Sequence, residues 1–204
     1  MKTILLTGFE PFDGESINPS WELVKVFNDM IIDDYHIISK LLPTIFYESS
    51  EILLKYLKEY KPKIVLCFGQ AGGSNSIRLE RVALNLNDAR IPDNRGNQPN
   101  DELIIPDGPV AYFAKLPLKL IYDKLKENNI PVSISLSAGS YVCNHVFYYL
   151  MHVIHNTEMI GGFIHIPYLD TQNKPNHFTM KLEDLKIALE SIIKTLIDYD
   201  KGVS

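Results

Sequence analysis

Cys143, within LSAGSYVCNHVFYYLMH (residues 136–152), is the side chain of this sequence best placed for nucleophilic chemistry. It follows an apolar, β-type run and a small-residue turn, Ser137-Ala138-Gly139-Ser140, and stands in or near the first turn of a predicted helix. Backbone N–H groups and the helix dipole at that end favour an anion, so the thiol pKa is expected to fall toward the thiolate. The same N–H groups can face the oxyanion of a tetrahedral intermediate. The competing reading is an inert buried thiol, because free cysteines commonly pack as small hydrophobes. Cys67, inside IVLCFGQ, has only apolar neighbours before Gln70 and is assigned to the core.

A thiol nucleophile needs a base. His145 lies two residues beyond Cys143 and points to another helix face, and His152 and His155 are two to three turns away. His36 opens a strand and His177 sits in a polar loop. His165 ends the apolar run GGFIHIPY, just before Pro167, where α/β folds gather their active-site residues. It is the expected partner of Cys143, the competing reading being a satisfied histidine at a strand end. A carboxylate that orients the imidazole would complete the set. Glu80, between apolar neighbours in IRLERVALN, is one candidate and Asp93 in ARIPDN a second. Glu80 can equally be a solvent-facing strand residue beside Arg78 and Arg81. Phe9 and Phe12, in GFEPFDG, suit either a ligand pocket or the core.

Metal and nucleotide chemistry are not indicated. No Cys-x-x-Cys or His-x-x-x-His pair has a matching carboxylate cluster. The glycines of GQAGG lack the Lys-Ser/Thr and helix of a phosphate cradle.

The elements that must hold these residues alternate. Strands are expected over TILLTGF, HIISKLLPTIF, KIVLCFGQ, IPVSISLS and MIGGFIHIPYL. Helices are expected over PSWELVKVFNDM, YESSEILLKYLKEYK, LPLKLIYDKLKENN, SYVCNHVFYYLMHVIH and MKLEDLKIALESIIKTLIDY. SIRLERVALNLN reads as extended with a change of phase near Glu80, and residues 88–108, rich in Asp, Asn, Gly and Pro, as a long loop. This alternation predicts a three-layer α/β/α sandwich around a twisted, mostly parallel but mixed sheet, of the type found in phosphorylases and hydrolases. No internal repeat or linker divides residues 1–204, so a single catalytic domain is expected.

A chain of 204 residues, 46% hydrophobic and 22% charged, can bury a sizeable core. Its net charge of -5, with basic residues scattered singly, excludes a polyanion partner. The start, MKTILLTGFEPF, resembles a signal peptide only briefly and reads better as a first strand. No apolar run is long enough to span a bilayer. With only two cysteines, a disulfide framework is not expected and a reducing cytoplasm is the natural compartment.

Six segments then carry a resemblance: LLTGFEPFDGESINPSWE, CFGQAGG, LERVALNLNDARIPDNRGNQP, PDGPVAYFAKLP, SAGSYVCNHVFY and GGFIHIPYL. In this order the chain resembles the pyroglutamyl peptidase I (pyrrolidone carboxyl peptidase) family of cysteine peptidases. The resemblance implies removal of N-terminal pyroglutamate from peptides with no cofactor and no metal. It implies Cys143 as nucleophile, His165 as base, Glu80 as third member and Arg90 assisting at the oxyanion. Phe9, Phe12, Gln70 and Val142 are implied at the substrate. A homotetramer is the implied assembly. Ser140 stands where threonine is common, and Asp170-Thr171 where Pro-Glu is common. Two other readings compete: a protein that binds pyroglutamyl termini without cleaving them, and a phosphate-dependent nucleoside transferase on a similar sandwich.

Overall fold

The apolar runs become neighbouring strands in the computed structural model, which describes residues 1–203. In chain order the elements are β1 (Lys2–Phe9), α1 (Pro19–Val24), β2 (Ile31–Ile32), β3 (Tyr35–Leu42), α2 (Glu48–Tyr60), β4 (Ile64–Gln70) and β5 (Ile77–Glu80). Then follow β6 (Val82–Leu84), β7 (Ala111–Phe113), α3 (Leu118–Glu127), β8 (Val132–Ser135), α4 (Val142–Ile154), β9 (Ile160–Ile166), β10 (Tyr168–Leu169), β11 (Thr179–Met180) and α5 (Leu182–Lys201).

Seven strands form one sheet in the order β2-β3-β1-β4-β9-β5-β8. The central pairs β3–β1, β1–β4 and β4–β9 are parallel. β5 runs antiparallel to β9 and parallel to β8, and β2 is antiparallel to β3, so the sheet is mixed. Strands this apolar must be covered on both faces. Ile4, Leu6, Leu66 and Ile164 pack under α1, α3 and α5, while Leu5, Val65, Cys67 and Phe163 pack under α2 and α4. The result is the three-layer sandwich.

Several expected boundaries move for local reasons. The strand beginning at Tyr35 stops at Leu42, before Pro43. The run SIRLERVALNLN divides at Arg81: β5 stays in the main sheet and β6 leaves to pair with β7. The first helix is short, α1 giving way to a tighter 3-10 turn over Lys25–Phe27. Residues 88–108 contain no strand or helix, as expected of the long loop.

That loop is held by its own polar side chains. Asp93 accepts hydrogen bonds from the backbone of Phe46, Arg95 and Asn97 and from the Asn97 amide. Burial alone would raise its carboxyl, but these donors outweigh it and hold it below the usual carboxylate range.

Candidate active site

The residues singled out converge on one face of the sheet, beneath the start of α4. Side chains alternate along a strand, so Cys67 and Gly69 of β4 and Phe163 and His165 of β9 point toward α4. Gly69 pairs directly with His165. On the other side of β9, Arg78 lies opposite His165 and Glu80 opposite Phe163. Three adjacent strands thus present a base, a carboxylate and an open glycine position to one helix end.

Cys143 occupies the second position of α4. Its sulfur comes down onto the sheet at Gly69, where an added Cβ would lie 2.8 Å from Sγ. The preceding turn is pinned from two directions. Asp88 N–H donates to the Ser140 carbonyl at 3.0 Å, and Ser140 Oγ donates to the Asp88 carbonyl at 2.7 Å. Gly139 takes a positive φ of 81°, which suits a glycine. Asn144 is fully buried and clamps the carbonyls of Leu84 and Leu86 and the N–H of Leu84, fixing the helix start against the segment after β6.

His165 Nδ1 lies 2.9 Å from Glu80 Oε1. Glu80 is wholly buried and His165 is 6% exposed. With Nδ1 donating to the carboxylate, Nε2 is the nitrogen left for a thiol proton. Arg78 completes the set: its Nε is 3.3 Å from the same Glu80 oxygen. Its guanidinium also donates to Ser135 Oγ at 2.6 Å and to the Ser137 carbonyl at 2.9 Å. Arg78 therefore joins the buried carboxylate to the turn that leads into Cys143. The sequence offers a nearby arginine, Arg78 or Arg81, as a candidate partner of Glu80, but not the contact with Ser135 and Ser137. The signal that would have found it is strand direction, because antiparallel β5 sets residue 78 opposite residue 165.

Between the two carboxylate candidates the geometry is unambiguous. Asp93 is occupied within its loop, and Glu80 is the one in contact with the imidazole.

The expected lowering of the Cys143 pKa is corrected. Part of the residue reaches solvent, but the thiol itself is enclosed. Burial pushes it up to about 12, and the charge of Glu80 and the neighbouring Cys67 act in the same direction. Burial thus favours the neutral thiol, whose proton a base must accept as the sulfur attacks. Cys67 is fully buried, and burial likewise raises it to about 12, in keeping with its place in the core.

A cleft of about 400 Å³ opens beside the turn that leads into α4, bordered by Gly139, Ser140 and Tyr141, while Cys143, His165 and Glu80 do not line it. Phe12, Gln70, Arg90 and Tyr141 border it, with Asp13, Glu15 and Asp88 giving it an acidic edge. Phe12 and Tyr141 face each other with ring centroids 6.0 Å apart. Phe9 is not among the bordering residues: it is 2% exposed and packs against Phe163. Val142 is also buried, in the same core cluster. Tyr141, Tyr168 and the acidic edge were not anticipated, since they meet only when the loops after β1, β4 and β9 are folded. A larger cavity, about 530 Å³, lies between the end of α3 and the start of α5, and none of the site residues borders it.

His145 belongs to a different structure. Its ring is fully buried, with Nε2 3.2 Å from the Tyr47 N–H and Nδ1 3.1 Å from Asn87 Oδ1. Among the described residues no cluster of three His, Cys, Asp or Glu side chains could hold a metal, and no helix is long and apolar enough to cross a membrane.

Known proteins are similar to this chain over nearly its whole length. Residues 2–198 match the family model described as pyroglutamyl peptidase. The chain is 49% identical to pyrrolidone-carboxylate peptidase of Bacillus thuringiensis over 206 residues, covering 98% of this chain and 96% of the relative. Identity to the Bacillus mycoides counterpart is 47% over 207 residues, covering 100% and 96%. Among solved structures, pyroglutamyl peptidase I from Bacillus amyloliquefaciens superposes with a TM-score of 0.92 at 46% identity, covering 95% of this chain and 94% of that one. A variant of pyrrolidone carboxyl peptidase from Pyrococcus furiosus gives 0.92 at 40% identity, covering 97% and 99%.

Proposed function

Because the chain belongs to the pyroglutamyl peptidase family, and so is a cysteine peptidase that removes N-terminal pyroglutamate, we propose that Cys143, His165 and Glu80 carry out its chemistry. The observation that carries this reading is the 2.9 Å contact between His165 and the buried Glu80, on the strand position beside the glycine that receives the Cys143 sulfur.

Pyroglutamate is a lactam, so its peptides lack the usual ammonium terminus. A cleft walled by Phe12 and Tyr141 accepts the uncharged ring. The ring brings no charge to desolvate between the two aromatic side chains, whereas an ammonium there would lose hydration at a cost of several kcal/mol unless a carboxylate of the acidic edge met it. Arg90 and the first N–H groups of α4 are the donors proposed for the oxyanion.

In the acylation step, His165 Nε2 takes the Cys143 proton as sulfur attacks the carbonyl carbon that joins pyroglutamate to the next residue. The tetrahedral intermediate collapses, the C–N bond breaks, and the imidazolium returns its proton to the leaving amine. His165 next removes a proton from water. The resulting hydroxide attacks the thioester, and collapse releases pyroglutamic acid and the Cys143 thiol. Glu80 fixes the ring through Nδ1, which leaves Nε2 free to carry the proton, and stabilises the imidazolium in both halves.

Neither the non-catalytic binder nor the nucleoside transferase is supported. We further propose one catalytic domain acting in the cytoplasm as a homotetramer. Two unpaired cysteines favour a reducing compartment, and Val110 and Phe113, 87% and 73% exposed, offer apolar surface for subunit contact. Turnover of a pyroglutamyl fluorogenic amide under reducing conditions tests the catalytic reading. It is expected in the wild type and lost in Cys143→Ser, and unchanged turnover in that variant would remove Cys143 from the mechanism.

A further inference from the structure

Gln172 lies outside the cleft lining, yet it determines what Gln70 offers to the cleft. It ends the short 3-10 turn over Asp170–Gln172, after β10. The backbone N–H of Leu169 donates to Gln172 Oε1 at 2.9 Å. A backbone N–H can only donate, so the Gln172 amide has one permitted orientation. Its Nε2 then faces two acceptors, Gln70 Oε1 at 3.0 Å and Glu15 Oε2 at 3.5 Å. Glu15 is itself paired with Lys174.

The consequence passes to the next amide. Gln70 must turn its oxygen toward Gln172, which leaves its NH₂ group pointing away from Gln172 on a residue that borders the cleft. Among the described residues, Gln70 Nε2 has no hydrogen-bond partner in the protein. A pyroglutamyl ring carries a carbonyl, an acceptor, where a prolyl ring carries a methylene. An outward donor at residue 70 matches the first ring and is left unpaired by the second. A site built to hydrogen-bond a substrate group discriminates strongly against an analogue without it.

We propose that Gln172 is a specificity-determining positioning residue: through a relay from the Leu169 N–H, it locks the Gln70 amide with its donor toward the lactam carbonyl. This rests on the pyroglutamyl peptidase reading above, and it assigns the recognition of the ring carbonyl to an orientation imposed from outside the cleft.

The test is Gln172→Glu, which keeps shape but replaces the donor facing Gln70 with an acceptor. The carboxylate still accepts from Leu169, and Gln70 must reverse and present its oxygen to the substrate. With a pyroglutamyl coumarin amide, KM is expected to rise on the order of tenfold or more, with kcat nearly unchanged, because a contact common to bound substrate and transition state is lost. Any cleavage of the matching prolyl amide, whose ring lacks the carbonyl and also carries an ammonium, should not change, so the preference for pyroglutamyl falls by the same factor. Glu15 sits beside the new carboxylate, so the double variant Gln172→Glu/Glu15→Gln separates repulsion from reversal, and it should stay as impaired as the single variant. Gln172→Ala, which frees the Gln70 amide to rotate, is expected to raise KM by a smaller factor. Thermal melting of each variant identifies any loss of fold. Wild-type KM in Gln172→Glu, in the double variant or in Gln172→Ala overturns the proposal, as does a loss confined to kcat. A wild-type enzyme with no pyroglutamyl turnover would instead overturn the parent reading.

Discussion

Cys143 rests on Gly69: a Cβ built at the glycine would lie 2.8 Å from Sγ and 2.9 Å from Cζ of Phe163. Neither neighbour can move far, since Phe163 is fully buried between the Phe9 and Phe147 rings and Cys143 is fixed at the start of α4. Gly69 is also the strand partner of His165. The missing side chain therefore lets the thiol descend to the level of the base.

Gly69→Ala should cost catalysis more than stability. Overpacking by one methyl typically destabilises by about 1–3 kcal/mol. Lifting sulfur off the sheet by even a fraction of an ångström misaligns it with His165, so kcat should fall by about tenfold or more. Urea unfolding together with steady-state kinetics checks this. A variant with wild-type kcat would show that the close approach is not required.

Glu80→Gln and Asp93→Asn separate the two carboxylates by their effects. Gln at 80 can present an amide N–H to His165 Nδ1 and favour the wrong tautomer, so kcat should drop by about 10²- to 10⁴-fold. The effect of Asp93→Asn should fall on the loop. Asp93 receives four hydrogen bonds from Phe46, Arg95 and Asn97, and an amide meets them less well. A loss of about 1–3 kcal/mol in stability is expected, with kcat largely retained at temperatures where the protein stays folded. The reverse pattern would transfer the orienting role to Asp93.

Much of this site was legible before folding because its parts lie at element ends. Cys143 follows a small-residue turn at a helix start, and His165 closes an apolar strand. What escaped has common physical causes. The direction of β5 is not written in its periodicity, and Arg78 lies opposite His165 only because that strand runs antiparallel to β9, while its contact with Ser137 needs the parallel pairing of β5 with β8. Enclosure of the thiol depends on how closely α4 approaches Gly69, so the helix-end argument alone left out the burial that opposes it at Cys143. Gln172 and Gln70 are 102 positions apart and meet where two loops close, which no local pattern records.

A neutral resting thiol has a kinetic signature. With the Cys143 pKa near 12, the thiolate fraction grows throughout the alkaline range and does not level off near neutrality. The rate of alkylation by iodoacetamide in the absence of substrate should therefore keep rising with pH beyond 9. Mass spectrometry can follow Cys143 separately from buried Cys67. A plateau below pH 8 would point to a preformed thiolate–imidazolium pair, and proton removal would then precede substrate binding.

His145 predicts how the fold responds to acid. Burial lowers its pKa from 6.5 to about 4, and the ring is held as a neutral acceptor of the Tyr47 N–H. Between those pH values the unfolded chain binds a proton at this residue that the native state does not. Stability from this group is thus complete above pH 6.5 and declines as pH falls toward 4, with a slope of up to about 1.4 kcal/mol per pH unit. The Tyr47, Ser50 and Asn87 groups around the ring carry no charge that would offset the proton. His145→Gln removes the titration. It should cost about 1–3 kcal/mol at pH 7 through imperfect hydrogen bonding, and its urea midpoint should vary less between pH 6.5 and 4 than that of the wild type. Because His145 stands two residues beyond Cys143 on α4, the wild-type loss should carry activity with it. Equal pH slopes in the two proteins would show that acid acts elsewhere in the fold.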